Sequence, residues 1–244
     1  MSALTHDAFL GGRLHLWQPK QGYRAGVDPV LLAASVPIKQ GQSLLDLGCG
    51  VGAAALCVGA RCADVKLVGV ERQPAYADLA RRNGLDVVTA DLGDLPAALR
   101  QRAFDHVIAN PPYFDRAAST SAQDPGREGA LGEDTPLADW IAVAARRLKP
   151  KGYFHLIHRM DRLPDALAAL EGRLGSVAVL PLSARAGRAP ELMILRARKG
   201  GRAKFCLSAP VILHSGESHT QDGDDYSPLI SKVLREGAPL WPLN

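Results

Sequence analysis

The segment Asn110-Pro111-Pro112-Tyr113 puts a carboxamide, two rigid prolines and an aromatic ring directly after the apolar run Phe104 to Ala109. Paired prolines fix φ and forbid both helix and further ladder pairing, so the backbone is stiff where a strand ends. Two carbonyls in that turn, the Asn110 side chain and the Pro111 backbone, are suited to accept the two N–H groups of a planar amine. Such an amine, on adenine or in a carboxamide, has its lone pair delocalised and attacks poorly unless its growing positive charge is stabilised. Tyr113 adds a flat face for stacking a base, an interaction worth roughly 1–3 kcal/mol. The set suits transfer of a methyl group to a poorly nucleophilic nitrogen.

Upstream lies Asp46-Leu-Gly48-Cys-Gly50-Val-Gly52, between the apolar Ser43 to Leu45 and the Ala-rich stretch Ala53 to Ala60. This reads as the turn from a buried strand into a helix, where glycines let a ligand approach the backbone and the helix start offers free N–H groups. Gly48, Gly50 and Ala53 also satisfy the glycine spacing of dinucleotide-binding folds, with Glu71 placed as a ribose-binding acid, so this motif alone leaves the cofactor open. The Asn-Pro-Pro-Tyr segment is what selects a methyl donor.

With both motifs in view, the chain resembles the class I S-adenosylmethionine-dependent methyltransferases, and among them those acting on amino nitrogens. The resemblance covers about residues 40 to 160. It implies that Asp46, Gly48, Gly50 and Gly52 wrap the methionine and ribose parts of S-adenosylmethionine, and that Glu71 binds the ribose hydroxyls. Asp91, with Leu92 beside it, would lie at the adenine, and Asn110, Pro111, Pro112 and Tyr113 would carry catalysis, Asn110 also touching the cofactor. The leader Gln18 to Ala33 is similar to that of bacterial adenine-N6 methyltransferases that modify a valine tRNA beside its anticodon. That likeness implies a leader closing over the cofactor through Tyr23, Arg24 and Asp28. From the residues themselves, Asp28 before Pro29 is suited to cap a helix, and Arg24 to reach a carboxylate or phosphate.

The elements that must position these residues alternate in type. Strands are expected near 43–47, 66–70, 86–90, 104–109 and 153–157, with helices at 52–62, 74–83, 94–101 and 136–148 between them. A helix at 162–171 and strands near 176–181, 191–198 and 204–213 should follow. The fold class is therefore α/β: a doubly wound, mostly parallel seven-stranded Rossmann-like sheet with an antiparallel C-terminal strand. Residues 1–40 form the leader and 41–244 one domain that includes a basic C-terminal hairpin region.

At 244 residues and 47% hydrophobic content the chain can bury a full core. Its net charge of +4 is unevenly spread: Arg185 to Lys204 holds Arg185, Arg188, Arg196, Arg198, Lys199, Arg202 and Lys204 against Glu191. Such a stripe suits an RNA partner, and tRNA follows from the resemblance. A second basic group, Arg146, Arg147, Lys149 and Lys151, sits at an expected helix end, where it also complements the dipole. The long polar segment Phe114 to Thr135, with Arg116 and Arg127, is placed to order over a substrate nucleotide. Cys49, Cys57, Cys62 and Cys206 show no paired spacing for zinc, so no metal is expected. Met1 to Leu10 lacks the pattern of a secretion signal, giving a cytoplasmic expectation. Three rivals share parts of these motifs: a release-factor glutamine methyltransferase, an rRNA or DNA amino-methyltransferase, and a noncatalytic RNA-binding protein.

Overall fold

The computed structural model describes residues 3–115, 132–133, 135–216 and 225–241. Its centre is a nine-stranded sheet. The parallel part comprises β3 (Ser43–Leu47), β4 (Lys66–Glu71), β5 (Asp86–Thr89), β6 (Phe104–Ala109) and β9 (Leu148–Arg159), in the spatial order β9-β6-β3-β4-β5. Beyond β9 the sheet continues with β11 (Leu192–Arg198), antiparallel to both neighbours, and β10 (Gly175–Ser183). β12 (Cys206–Leu207) and β13 (Val211–Ile212) pair parallel with β10 at the edge. Two further pairs lie outside it: the hairpin β1 (Leu4–Phe9) with β2 (Leu14–Pro19), and the two-residue β7 (Phe114–Asp115) with β8 (Gly132–Glu133).

Period-2 alternation along the buried strands supplies two cores. Leu44, Ile108, Ile157 and Ile194 face α1 (Asp28–Ala34), α2 (Ala53–Arg61), α3 (Pro74–Arg82) and α7 (Pro228–Glu236). Leu45, Val107, Leu156 and Leu195 face α4 (Ala97–Arg100), α5 (Leu137–Arg147) and α6 (Leu163–Leu170). The α/β expectation holds, with helices on both faces of the sheet.

Several local expectations change. The strand expected over 204–213 is two dipeptides separated by Ser208 to Pro210, because Pro210 has no N–H for a ladder. The expected antiparallel C-terminal strand is β11, which lies between β9 and β10. The helix expected at 94–101 shrinks to one turn, since Pro96 excludes Leu95 from helical conformation. β9 begins at Leu148 rather than 153; a register shift against β6 absorbs Pro150 and left-handed Lys151 (φ 68°). Hairpin β1–β2 and α7 were not anticipated, although α7 carries Ser227 at its start, accepting from the Ile230 N–H, and left-handed Gly237 at its end.

Candidate active site

The chain leaves β3 toward β4 on one side and returns through β6 on the other, so the carboxyl ends of β3 and β6 flank a topological switch point. Open α/β sheets bind ligands in that crevice. The glycine loop leaves β3 here, and Asn-Pro-Pro-Tyr leaves β6. Both line one cavity of about 270 Å³.

Gly48, Gly50 and Gly52 all have positive φ, at 63°, 54° and 88°. Their side-chain directions differ. A Cβ on Gly48 would fall 2.5 Å from the Trp140 ring, one on Gly50 would project toward Tyr23 at 3.9 Å, and one on Gly52 would meet Leu85 and Leu56. Gly48 and Gly50 line the cavity; Gly52 turns into the core and does not. Asp46, only 2% exposed, accepts the Ala55 N–H at the first turn of α2. Burial, with Glu71 nearby, pushes its carboxyl up to about 8. The Glu71 carboxylate accepts from the Gly50 N–H at 3.0 Å and the Gln73 N–H at 2.8 Å, fixing the loop against β4. Asp91 accepts from the Gly93 N–H at 2.8 Å, and both Asp91 and buried Leu92 line the cavity.

The leader forms the facing wall. Asp28 is not a helix cap: the cap position is Val27, and the Asp28 carboxylate instead accepts the Tyr113 hydroxyl at 2.7 Å. Burial raises the Asp28 carboxyl, an effect the Tyr113 bond opposes. Tyr23 faces the Asn110 side chain; burial first, then Asp28 and Asp46, push its phenol up to about 12. The Tyr76 hydroxyl accepts from the Tyr23 N–H at 2.9 Å and so pins the leader to α3. Tyr113 also packs against His158, with ring centroids 5.5 Å apart. His158 is fully buried, which lowers its imidazole to about 4 and leaves it neutral.

Of the residues singled out from sequence, Tyr23, Asp28, Asp46, Gly48, Gly50, Glu71, Asp91, Leu92, Asn110, Pro111, Pro112 and Tyr113 all border this cavity. Arg24 does not; its guanidinium pairs with Asp7 at 2.8 Å. Trp140, Tyr76, Gln73 and Thr135 also border it and escaped the sequence reading. Trp140 sits among the apolar positions of α5 and reads as ordinary core, while its Nε1 donates to the Thr135 carbonyl at 3.2 Å. Tyr76 had a usable signal, an aromatic residue one turn after Glu71.

The family described as Methyltransferase small domain matches residues 26–181. The chain belongs to that family. A Porphyromonas gingivalis protein named tRNA1(Val) (adenine(37)-N6)-methyltransferase is 32% identical over 200 residues, 72% of this chain and 76% of the relative. An Aeromonas hydrophila protein of the same name is 26% identical over 235 residues, covering 89% of this chain and 93% of the relative. Among solved structures, an Agrobacterium tumefaciens chain named as a predicted O-methyltransferase superposes with TM-score 0.69 at 28% identity, over 84% of this chain and 94% of that one.

In this methyltransferase the basic stripe does not form one surface. β11 runs antiparallel to β9, so Arg185 and Arg188, before β11, lie at the cavity end of the sheet, Arg196 lies within it opposite His155, and Arg198 to Lys204 lie at the opposite end. Arg185 is engaged by Asp225 and by the Ser215 and Gly216 carbonyls. Arg196 and Arg198 stack over Tyr153, and Lys199 donates to the Ala145 and Leu148 carbonyls. Arg116 and Arg127 lie outside the described residues. Among the described residues no His, Cys, Asp and Glu cluster is arranged to hold a metal ion, and no helix is long and apolar enough to cross a membrane.

Proposed function

We propose that this methyltransferase uses S-adenosylmethionine to methylate the exocyclic N6 of an adenine in tRNA. One observation carries the reading: Asn110-Pro111-Pro112-Tyr113 and the glycine loop with Glu71 and Asp91 border the same cavity at the switch point. The names of the relatives supply the adenine and the tRNA.

The residues present fit that cofactor. The backbone at Gly50 is open toward the cavity, and buried Asp46 has no cationic partner among the described residues, so an ammonium group would relieve its desolvation. Asp46 with Gly48 and Gly50 would hold the amino-acid part, Glu71 the ribose diol, and Asp91 with Leu92 the adenine. When bound, S-adenosylmethionine supplies a methyl group made electrophilic by its sulfonium.

The protein's own contribution is placement. The Asn110 carboxamide oxygen and the Pro111 carbonyl accept the two N–H groups of the target amine, so positive charge developing on nitrogen is met by two oriented dipoles. Tyr113 gives the base its stacking face. Once alkylated, the nitrogen is strongly acidic and water takes its proton, so a dedicated base is not required. The leader 1–40, pinned through Tyr23 and Asp28, serves as a cover over the cavity. Arg188, before β11 at the cavity end of the sheet, and the segment 114–135 are the candidates for phosphate contacts.

The test is to incubate the protein with isotope-labelled S-adenosylmethionine and mixed tRNA, rRNA, DNA and protein, then identify the labelled product by mass spectrometry. N6-methyladenosine in tRNA is the expected product. Label on protein glutamine, rRNA or DNA overturns the substrate and leaves the cofactor reading intact; absence of label and of cofactor binding overturns both.

A further inference from the structure

Two basic groups far apart in the sequence meet at the end of the sheet opposite the cavity. The Lys151 N–H donates to the Lys199 carbonyl at 3.2 Å, and the Lys199 N–H to the Gly152 carbonyl at 2.9 Å. The Arg198 Nε donates to the Lys151 carbonyl at 3.3 Å. The Lys199 ammonium reaches across to the Ala145 carbonyl in the last turn of α5 and to the Leu148 carbonyl just beyond it. The start of β9, the end of α5 and the turn after β11 are thereby fastened into one face.

The charges on that face divide into two kinds. Lys199 and Arg147 are used internally, each satisfying carbonyls at a helix end, and Lys149 pairs with Asp105 at 2.8 Å. Arg146, Lys151, Arg202 and Lys204 are exposed and form no ion pair among the described residues. Helix-dipole complementarity is already served by the first kind, so it does not account for the second. Beside Lys204, Phe205 is 52% exposed, an unusual position for a large aromatic ring and one suited to contact sugars or bases between phosphates.

We infer that this face is a second RNA contact, engaged by phosphates of the same tRNA at a distance from the modified adenine. The inference rests on the proposed tRNA substrate. Its geometry follows from the register of β9 on β6: Lys151 sits in the shift between Phe104 and His106, about five residues of β6, or about 17 Å at the usual rise, from Asn110, and Arg202 and Lys204 lie farther across the sheet, beyond β11. A nucleotide in the cavity and a phosphate on the basic face are therefore not neighbours along the RNA but lie several nucleotides apart. A full-length tRNA can reach both; a stem-loop trimmed to the target loop and its closing base pair reaches only the cavity.

The test compares wild type with R146E/R202E/K204E on full-length tRNA and on the trimmed stem-loop, reading tRNA affinity against salt, the KM and kcat for each RNA, and cofactor affinity. Each lost phosphate contact should reduce the salt slope by about 0.9, so loss of three should flatten it by roughly 2.7. The expected result is a tenfold or greater weakening of full-length tRNA binding, expressed in KM, with kcat, cofactor affinity and stem-loop KM unchanged. The neutral variant R146Q/R202Q/K204Q should shift the same quantities less and in the same direction, which separates contact loss from misfolding. An unchanged salt slope and KM on full-length tRNA in both variants would overturn the inference, as would equal losses on both RNAs. Failure of the wild type to bind tRNA at all would instead overturn the tRNA reading itself.

Discussion

Tyr113 donates its hydroxyl to the Asp28 carboxylate across the cavity both residues line, at 2.7 Å and 85 positions apart in the chain. The leader thereby fixes the plane of the ring on which the target base is proposed to stack. A hydrogen bond to a charged acceptor contributes about 1.5–3 kcal/mol, so Tyr113→Phe should lower kcat/KM by roughly 10- to 100-fold while keeping the stacking face. Tyr113→Ala should cost more, since it also removes the face. Asp28→Ala combined with Tyr113→Phe should be little worse than either single change, because both delete one bond. Additive losses in that cycle would separate the two residues functionally.

Asn110 is expected to act on the chemical step rather than on binding of the cofactor. Asn110→Ala should reduce single-turnover methylation by roughly 100-fold, comparable to loss of one oriented transition-state hydrogen bond, with cofactor affinity changed little. Rapid-quench measurement at saturating RNA checks this. A loss under about threefold would contradict the assigned role, since an oriented acceptor is worth far more than that.

Positions where the chemistry dictates the backbone were legible in the sequence. Gly48 and Gly50 need left-handed φ, Pro111 and Pro112 mark a strand end, and Glu71 closes an apolar run; each is a local rule that the fold obeys. What escaped was set by tertiary pairing. Asp28 looks like a cap because capping is local, yet the partner that claims it is Tyr113. Trp140 has the apolar periodicity of core and becomes cavity wall only because Gly48 lacks a Cβ. The basic stripe looked continuous because a linear sequence does not display strand direction, and the antiparallel course of β11 sends its two halves to opposite ends of the sheet.

Asp46 gives a pH prediction with a definite sign. Its buried carboxyl titrates at about 8, far above an unfolded aspartate near 3.9, so the folded cofactor-free protein holds a proton there that the unfolded chain releases. That contribution to stability is fully present below the unfolded value and is lost as pH rises through about 8. Binding a cationic ammonium favours the ionised form, so cofactor binding near neutrality should release a proton and tighten as pH rises toward 8. Titration calorimetry in buffers of different ionisation enthalpy should show the release in wild type and not in Asp46→Asn. Heats independent of buffer in wild type would mean that Asp46 is already ionised before the ligand arrives.

Gly48→Ala tests whether the floor of the cavity depends on Trp140 sitting where a side chain would be. The added Cβ would lie 2.5 Å from Cη2 and 2.9 Å from Cζ3 of Trp140, and the residue would have to keep φ near 63°. Left-handed backbone alone costs a non-glycine residue roughly 1–2 kcal/mol, and the ring must move as well. The variant should therefore melt lower and bind cofactor at least tenfold more weakly. Trp140→Leu in the Gly48→Ala background relieves the clash without relieving the backbone, so it should recover part of the stability. It should not recover cofactor affinity, because the wall that the indole provides, held by its bond to the Thr135 carbonyl, is then gone. Full recovery of affinity in the double variant would show that Gly48 serves only to make room for Trp140 and that the ring itself contributes nothing to the ligand.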